Sequence, residues 1–183
     1  MPMLNFTNPV RFDFGAINKL SEALQRQGIQ RPFLATDRGL SDSGLLERIT
    51  DVLEDKSAAT IYDGTPGNPT EEAVNEALEA YQANDCDGVV CIGGGSPMDL
   101  GKAVALLAAS GGPLAQYDPL QGGNKLVKAV APLIAVPTTA GTGSEASVGF
   151  VISMSDGRKL TFANPRFLPK LAICDPELTL GLP

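Results

Sequence analysis

Residues 88–99 read GVVCIGGGSPMD, and this stretch decides the fold. Its first five residues are apolar at nearly every position, which is typical of a strand that helices cover on both faces. Three glycines follow, and then Ser96, Pro97 and Asp99 mark a helix start with Ser96 as the predicted N-cap. A buried strand that passes through glycines into a helix indicates a parallel α/β sheet, in which ligands bind beyond the carboxyl ends of the strands.

The three adjacent residues Gly93, Gly94 and Gly95, called the glycine turn below, have the composition of a phosphate site. Free backbone N–H groups and the helix dipole attract an anion such as a pyrophosphate, and a Cβ at this point would hold the phosphate away. The alternative is an ordinary turn in which Ser96 and Asp99 only cap the helix. Three glycines exceed what a turn needs, and they favour the phosphate site.

The rest of the chain alternates between strand and helix patterns. We predict strands near residues 10–14, 33–37, 59–62, 88–92, 131–136 and 171–174, and helices near 17–28, 45–53, 70–84 and 96–111. An Asp-Gly pair at 156–157 between two strand-like runs predicts a β-hairpin near 148–163. The sequence therefore predicts an α/β fold with a doubly wound, mostly parallel, Rossmann-like sheet, in one domain over residues 1–183.

Asp37 ends a predicted strand at the same edge of the sheet as the glycine turn. A carboxylate there can accept hydrogen bonds from both hydroxyls of an adenosine ribose and would repel a 2′-phosphate, which favours NAD over NADP. The adjacent Arg38 could soften this preference, and a plain helix-initiating acid is the alternative. The common G-x-G-x-x-G fingerprint is missing, since here the acid precedes the glycines instead of following them by about twenty residues.

A second glycine-containing loop, PTTAGTGS at residues 137–144, follows another buried strand. Its hydroxyls and backbone amides suit contacts with a ribose and a nicotinamide, although clusters of Thr and Ser are more often turns and caps.

Composition excludes several classes of function. The 14 Lys and Arg against 21 Asp and Glu give a net charge of −7 without a basic block, which disfavours nucleic acid and anionic membranes. The longest aliphatic runs are too short to span a bilayer, so we expect a soluble, cytoplasmic protein. The three cysteines have no metal-ligand pairing and the chain has no histidine, so we predict neither a catalytic residue nor a metal ligand in it.

GGGSPMD at 93–99 and PTTAGTGSE at 137–145 resemble the iron-containing (group III) alcohol dehydrogenases in order and spacing. Residues 36–39, 63–70 and 175–178 are also similar to that family, so the resemblance covers essentially the whole chain. Residues 137–145 favour the alcohol dehydrogenases over the glycerol branch, while a maleylacetate reductase or a polyol dehydrogenase is an alternative relative.

The resemblance implies an NAD-dependent oxidoreductase that moves hydride reversibly between alcohols and aldehydes or ketones, with iron or another divalent metal polarising the alcohol oxygen. In that family one Asp and three His of a helical second domain bind the metal, and that domain begins just after this chain stops. We therefore expect an NAD-binding domain that is inactive alone, with the metal and the small alcohol or carbonyl substrate belonging to the full-length enzyme.

By resemblance, Asp37 lies at the adenosine ribose, and Gly94, Gly95 and Ser96, with the adjacent Pro97, lie at the pyrophosphate. The remaining cofactor cleft is lined, on the same basis, by Asn68, Asp99, Thr138, Thr139, Thr142, Ser147, Val151 and Lys159. A non-catalytic nucleotide-binding or association module is the alternative of another class. An apolar face left without a second domain would favour a homo-oligomer.

Overall fold

A computed structural model describes residues 8–181, and these contain eight strands. The strands are β1 (Val10–Phe12), β2 (Pro32–Ala35), β3 (Thr60–Tyr62), β4 (Gly88–Gly93), β5 (Leu133–Pro137), β6 (Gly149–Ser153), β7 (Lys159–Ala163) and β8 (Leu171–Cys174). Six of them form one sheet in the order β1-β8-β5-β4-β2-β3, and every neighbouring pair is parallel. Strands β6 and β7 form a separate antiparallel hairpin. The predicted fold class and the predicted hairpin are both confirmed.

The order of the strands makes the sheet doubly wound. From β2 the chain crosses to β3 on one side, and then returns past β2 to β4 and continues outward through β5 and β8. The winding therefore reverses between β2 and β4. In open α/β sheets the crevice beyond the carboxyl ends of two such strands is the usual place for a ligand, and we call it the switch point.

Five α-helices and several short 3₁₀ turns connect the strands in residues 8–181. The α-helices are α1 (Leu20–Gln27), α2 (Arg38–Asp42), α3 (Leu45–Thr50), α4 (Glu71–Ala83) and α5 (Gly95–Ser110). The 3₁₀ turns are Ala16–Lys19, Lys56–Ala58, Leu114–Tyr117, Pro119–Gln121, Gly123–Leu126, Ser144–Ala146, Pro165–Phe167 and Pro176–Thr179. No helix in this described part of the chain is long and apolar enough to cross a membrane.

Alternating residues of the central strands build the two sides of the core. In β4, Val90 and Ile92 pack with α1 and α3, while Val89 and Cys91 pack with α4 and α5. Helix α5 lies so close to β4 that a Cβ at Gly101 would overlap the sulfur of Cys91. Burial raises the pKa of the Cys91 thiol to about 12, so this thiol stays protonated and unreactive at neutral pH. The close packing at Gly101 holds α5 against β4, the strand that ends at the switch point.

Candidate functional site

A cleft of about 990 Å³ opens at the switch point, beyond the carboxyl ends of β2, β4 and β5. Seven of the thirteen predicted site residues line it: Asp37, Gly94, Gly95, Ser96, Pro97, Thr138 and Thr139. Strand β2 positions the first of these, the β4–α5 connection the next four, and the end of β5 the last two. Three separate segments of sequence thus meet at one place because their strands are neighbours in the sheet.

The glycine turn brings the chain into α5 earlier than the sequence pattern indicates. Gly93 has a φ of 140°, a conformation that L-residues rarely adopt, and Gly94 occupies the N-cap position of α5 without a side-chain cap. The prediction that Ser96 caps the helix is therefore wrong. Its Oγ instead donates a hydrogen bond of 2.7 Å to the carbonyl oxygen of Gly67. Without a side-chain cap, the first-turn N–H groups of α5 are left for a ligand that approaches through the cleft.

Residues 138–148 connect β5 to β6, and we call this connection the polar loop. Only a narrow gap separates the polar loop from the glycine turn. A Cβ on Gly94 would lie 3.3 Å from Oγ1 of Thr139, and a Cβ on Gly95 would lie 3.6 Å from Oγ of Ser144. Side chains at Gly94 and Gly95 would thus fill the gap that separates the turn from the loop. The glycines keep a cradle open between two sets of polar groups.

Asp37 both caps a helix and faces the glycine turn. Its Oδ1 accepts a hydrogen bond of 3.1 Å from the backbone N–H of Leu40 at the start of α2. Its Oδ2 lies on the other side, 3.5 Å from where a Cβ on Gly93 would stand. The helix-capping alternative therefore holds for one oxygen, while the other oxygen points toward the cleft. Arg38 is exposed and also lines the cleft.

The other six predicted residues lie outside the cleft and form a second group beside it: Asn68, Asp99, Thr142, Ser147, Val151 and Lys159. Thr142 links the two groups, since its Cγ2 lies 3.8 Å from the position of a Cβ on Gly95. Ser147 accepts a hydrogen bond of 3.0 Å through Oγ from the N–H of Gly149. The side-chain amine of Lys159 donates a hydrogen bond of 3.0 Å to Oδ1 of Asn68.

Asp99 lies one turn into α5, where its carboxylate accepts a hydrogen bond of 3.1 Å from the backbone N–H of Val151. Burial raises the pKa of this carboxyl above its usual value of 3.8, against the opposing effects of the Val151 bond and of the Lys102 and Lys159 amines. The prediction that Asp99 caps the helix from its third position is wrong, because α5 begins at Gly95 and Asp99 is its fifth residue. The residue instead ties α5 to the hairpin.

Sequence reasoning missed several residues of the site. Lys102 is completely buried and donates three hydrogen bonds to carbonyl oxygens of the polar loop and the start of β6. Arg48 and Glu177 line the cleft and form an ion pair with each other. A lone lysine in the otherwise apolar run 100–109, LGKAVALLAA, was a usable signal for Lys102. The Arg48–Glu177 pair joins residues 129 positions apart, and nothing local in the sequence indicates it.

The described residues offer no place for a metal ion. Within residues 8–181, no group of three or more His, Cys, Asp or Glu side chains could hold one, and the whole chain contains no histidine. The cleft itself is lined by backbone amides, hydroxyls, the carboxylates of Asp37 and Glu177 and the guanidinium groups of Arg38 and Arg48.

Comparison with known proteins identifies the relatives of this architecture. The family model described as iron-containing alcohol dehydrogenase matches residues 7–176. The 4-hydroxybutyrate dehydrogenase of Cupriavidus necator is 46% identical over all of this chain and 48% of its own length. The chain thus spans about half the length of the curated relatives it matches.

Solved structures give the same result. The sulfoacetaldehyde reductase of Bifidobacterium kashiwanohense, solved in complex with NAD+, superposes with a TM-score of 0.86 and 31% identity, over 100% of this chain and 49% of that chain. A maleylacetate reductase from Agrobacterium tumefaciens superposes with a TM-score of 0.77 and 29% identity, over 98% of this chain and 44% of that chain. Both reductases share the fold of this chain, and the TM-score is higher for the sulfoacetaldehyde reductase.

Proposed function

The chain belongs to the iron-containing alcohol dehydrogenase family, and on that premise we propose that it is the dinucleotide-binding domain of an NAD-dependent alcohol dehydrogenase. One observation carries the proposal. The uncapped N-terminus of α5 and Asp37, whose Oδ2 takes no part in the bond to Leu40, lie side by side at one cleft at the switch point of the sheet. A diphosphate and a ribose linked to it need donors and an acceptor in this arrangement.

The two ends of that arrangement bind different parts of the dinucleotide. The N–H groups of Gly95 and Ser96 at the start of α5 would donate hydrogen bonds to the diphosphate, with the positive end of the helix dipole behind them. Oδ2 of Asp37 would accept hydrogen bonds from the adenosine ribose. Because a second negative group beside this carboxylate is repelled, we propose NAD as the cofactor and NADP as the poorer ligand, with Arg38 reducing the difference.

The nicotinamide end would then lie along the polar loop and the hairpin. Hydroxyls of Thr138, Thr139 and Thr142 and the backbone near Ser147 and Val151 are the groups on that side. Lys159 and Asn68, already bonded to each other, would close the far end, and Asp99 holds Val151 in place. NAD, when bound, accepts a hydride from an alcohol carbon. The residues of this chain orient the ring and limit its contact with water.

The activity of the complete enzyme follows as a further part of the proposal. It would be reversible hydride transfer between a small alcohol and the corresponding aldehyde or ketone, with a divalent metal such as iron bound by residues outside 8–181. We propose that the chain alone binds the dinucleotide without catalysing this reaction. The cytoplasmic location, the homo-oligomer and the absence of nucleic-acid partners stay predictions from the sequence.

Titration calorimetry of NAD and NADP into the purified chain tests the proposal. We expect NAD to bind more tightly than NADP, and Gly95→Val to weaken both by roughly 100-fold or more, because it removes two charge-assisted hydrogen bonds. Asp37→Ala should weaken NAD by about tenfold and NADP by less. Asp42→Ala, an exposed acid at the end of α2, is the matched control and should change neither.

Two outcomes would overturn the proposal. The absence of heat from millimolar NAD with the unmodified chain would leave the non-catalytic association module as the better description. Unchanged binding in Gly95→Val would mean that the dinucleotide binds away from the glycine turn. Equal loss of NAD and NADP in Asp37→Ala would contradict the ribose contact alone.

A further inference from the structure

One face of α5 carries three residues that each contact the polar loop or the strand after it. Gly95, Asp99 and Lys102 stand at positions i, i+4 and i+7, which places them on one side of the helix. Gly95 approaches Thr142 and Ser144, Asp99 accepts the N–H of Val151, and Lys102 reaches the carbonyls between them. The helix that begins at the glycine turn is thus also the surface on which the loop lies.

Lys102 makes the strongest of these connections. Its Nζ donates hydrogen bonds of 2.8 Å to the carbonyl of Ser144, 2.7 Å to that of Ser147 and 2.9 Å to that of Gly149. An ammonium has three donors, and here all three are used. The residue is fully buried, and burial of a cation without such partners would carry a large desolvation penalty. This one side chain therefore bonds to three carbonyls within residues 144–149, and the side-chain amide of Asn8 bonds to a fourth, that of Glu145.

The part of the loop before Ser144 is held much less firmly. Its start is fixed by the N–H of Thr138, which donates a hydrogen bond of 3.0 Å to the carbonyl of Gly93. Between these two anchors, Gly141 and Gly143 have φ values of 98° and 69°, and Thr142 is exposed. A loop with glycines at left-handed positions and an exposed tip takes its shape from its anchors. The second anchor is the ammonium of Lys102.

We propose that Lys102 is a positioning residue for the dinucleotide, which sets the half of the cleft formed by the polar loop without touching the ligand. The inference rests on the proposed function, and it separates two parts of one cleft. The adenosine and diphosphate contacts come from Asp37 and the glycine turn, which the sheet holds. The contacts beyond the diphosphate come from the loop, which Lys102 holds.

Calorimetry with NAD and with ADP distinguishes the two parts. In Lys102→Met, which keeps the length of the side chain and removes the three donors, we expect NAD to bind about tenfold more weakly and ADP to bind within about twofold of the unmodified chain. Lys125→Met, at an exposed lysine, is the control and should change neither. Equal weakening of NAD and ADP, or unchanged NAD binding, would overturn the inference. If the unmodified chain binds neither nucleotide, the proposed function itself fails.

A measurement on the unmodified chain covers the case in which Lys102→Met does not fold. Nitrogen-15 spectra of the lysine ammonium groups should contain a slowly exchanging signal from Lys102, because its protons are buried and hydrogen-bonded. We expect NAD to move this signal and ADP to leave it in place. A signal that ADP moves as far as NAD, or that neither nucleotide moves, would overturn the inference.

Discussion

The two sides of the cleft are built in different ways. On one side, which we call the sheet side, Asp37 and the glycine turn directly follow the neighbouring parallel strands β2 and β4. On the other, the loop side, the polar loop and the hairpin are attached to α5 by side chains. The sheet side is therefore fixed by backbone ladders, whereas the loop side depends on individual polar contacts. A ligand that spans both meets a rigid half and an adjustable half.

The difference also appears in the separation of the contacts along the chain. On the loop side, Lys102 bonds to residues 42 to 47 positions away, and Asp99 bonds to a residue 52 positions away. On the sheet side, Asp37 caps α2 through a hydrogen bond to the N–H of Leu40, only three residues later. Gly93 likewise lies two residues before the start of α5. The sheet side is local in sequence, and the loop side is not.

The largest expected effect is on folding, at the glycine turn. Gly93→Ala should lower the free energy of unfolding by about 3 kcal/mol, since the φ of 140° strains an alanine and its Cβ would stand 2.7 Å from Cγ of Pro97. Gly143→Ala on the loop side should cost only about 1 kcal/mol, because its φ is 69° and an added Cβ meets nothing within 4 Å. Urea unfolding measures both. Equal losses would contradict the division into a rigid and an adjustable side.

A second change acts on binding and leaves the fold intact. Gly94→Ala keeps an allowed backbone with a φ of −82°, but its Cβ enters the cradle 3.3 Å from Oγ1 of Thr139. We expect NAD to bind roughly tenfold more weakly, from the loss of about one charge-assisted hydrogen bond. Gly67→Ala, in the same cleft, adds a Cβ that meets nothing within 4 Å and should leave affinity within about twofold. Unchanged binding in Gly94→Ala would remove the glycine turn from the site.

Much of the sheet side could be predicted from the sequence. The apolar run before the three glycines and the acid at the end of another strand are local patterns, and they indicated both the fold and the position of the cleft. The predicted N-cap at Ser96 was wrong because capping rules do not include the φ of Gly93, which reverses the chain one residue before the cap. The predicted capping role of Asp99 was wrong for the same reason.

The loop side could be predicted only through the family resemblance. Clusters of Thr and Ser are common in turns, so their composition alone indicates little. The residue that organises them, Lys102, looks in the sequence like one charge on an apolar helix, and its three acceptors are backbone carbonyls, which no sequence pattern records. The pairing of Lys159 with Asn68 crosses 91 residues and is equally hidden.

A smaller effect is expected at the far end of the loop side. Lys159→Met removes an exposed hydrogen bond to Asn68, so we expect the free energy of unfolding to change by less than about 0.5 kcal/mol. Affinity for NAD should fall by about threefold, because Asn68 loses the bond that orders its side chain. Affinity for ADP should stay unchanged. Parallel urea unfolding and calorimetry check this. A loss of stability without a loss of affinity would make the pair a structural contact only.

A last effect concerns the attachment of the hairpin in acid. The guanidinium of Arg158, in the β6–β7 turn, donates a hydrogen bond of 2.7 Å to Oδ2 of Asp118, and this bond lowers the pKa of that carboxyl below its usual 3.8. A lowered pKa stabilises the fold above pH 3.8 and loses that contribution as the pH falls through the folded-state value. Asp118→Asn should therefore be less stable than the unmodified chain at pH 6, and the difference should shrink below pH 3.8. If the stability difference between Asp118→Asn and the unmodified chain grew below pH 3.8, the ion pair would not be the source of the stabilisation.

In the site that we propose, backbone N–H groups of the glycine turn bind the diphosphate of a dinucleotide while Asp37 binds its ribose. Nitrogen-15 and proton NMR of the backbone during addition of NAD would report on each of these groups separately. We predict that the amide signals of Gly94, Gly95 and Ser96 shift most, together with that of Leu40 beside Asp37, and that those of α1 stay in place. Saturable shifts elsewhere with these four amides unmoved would contradict the account.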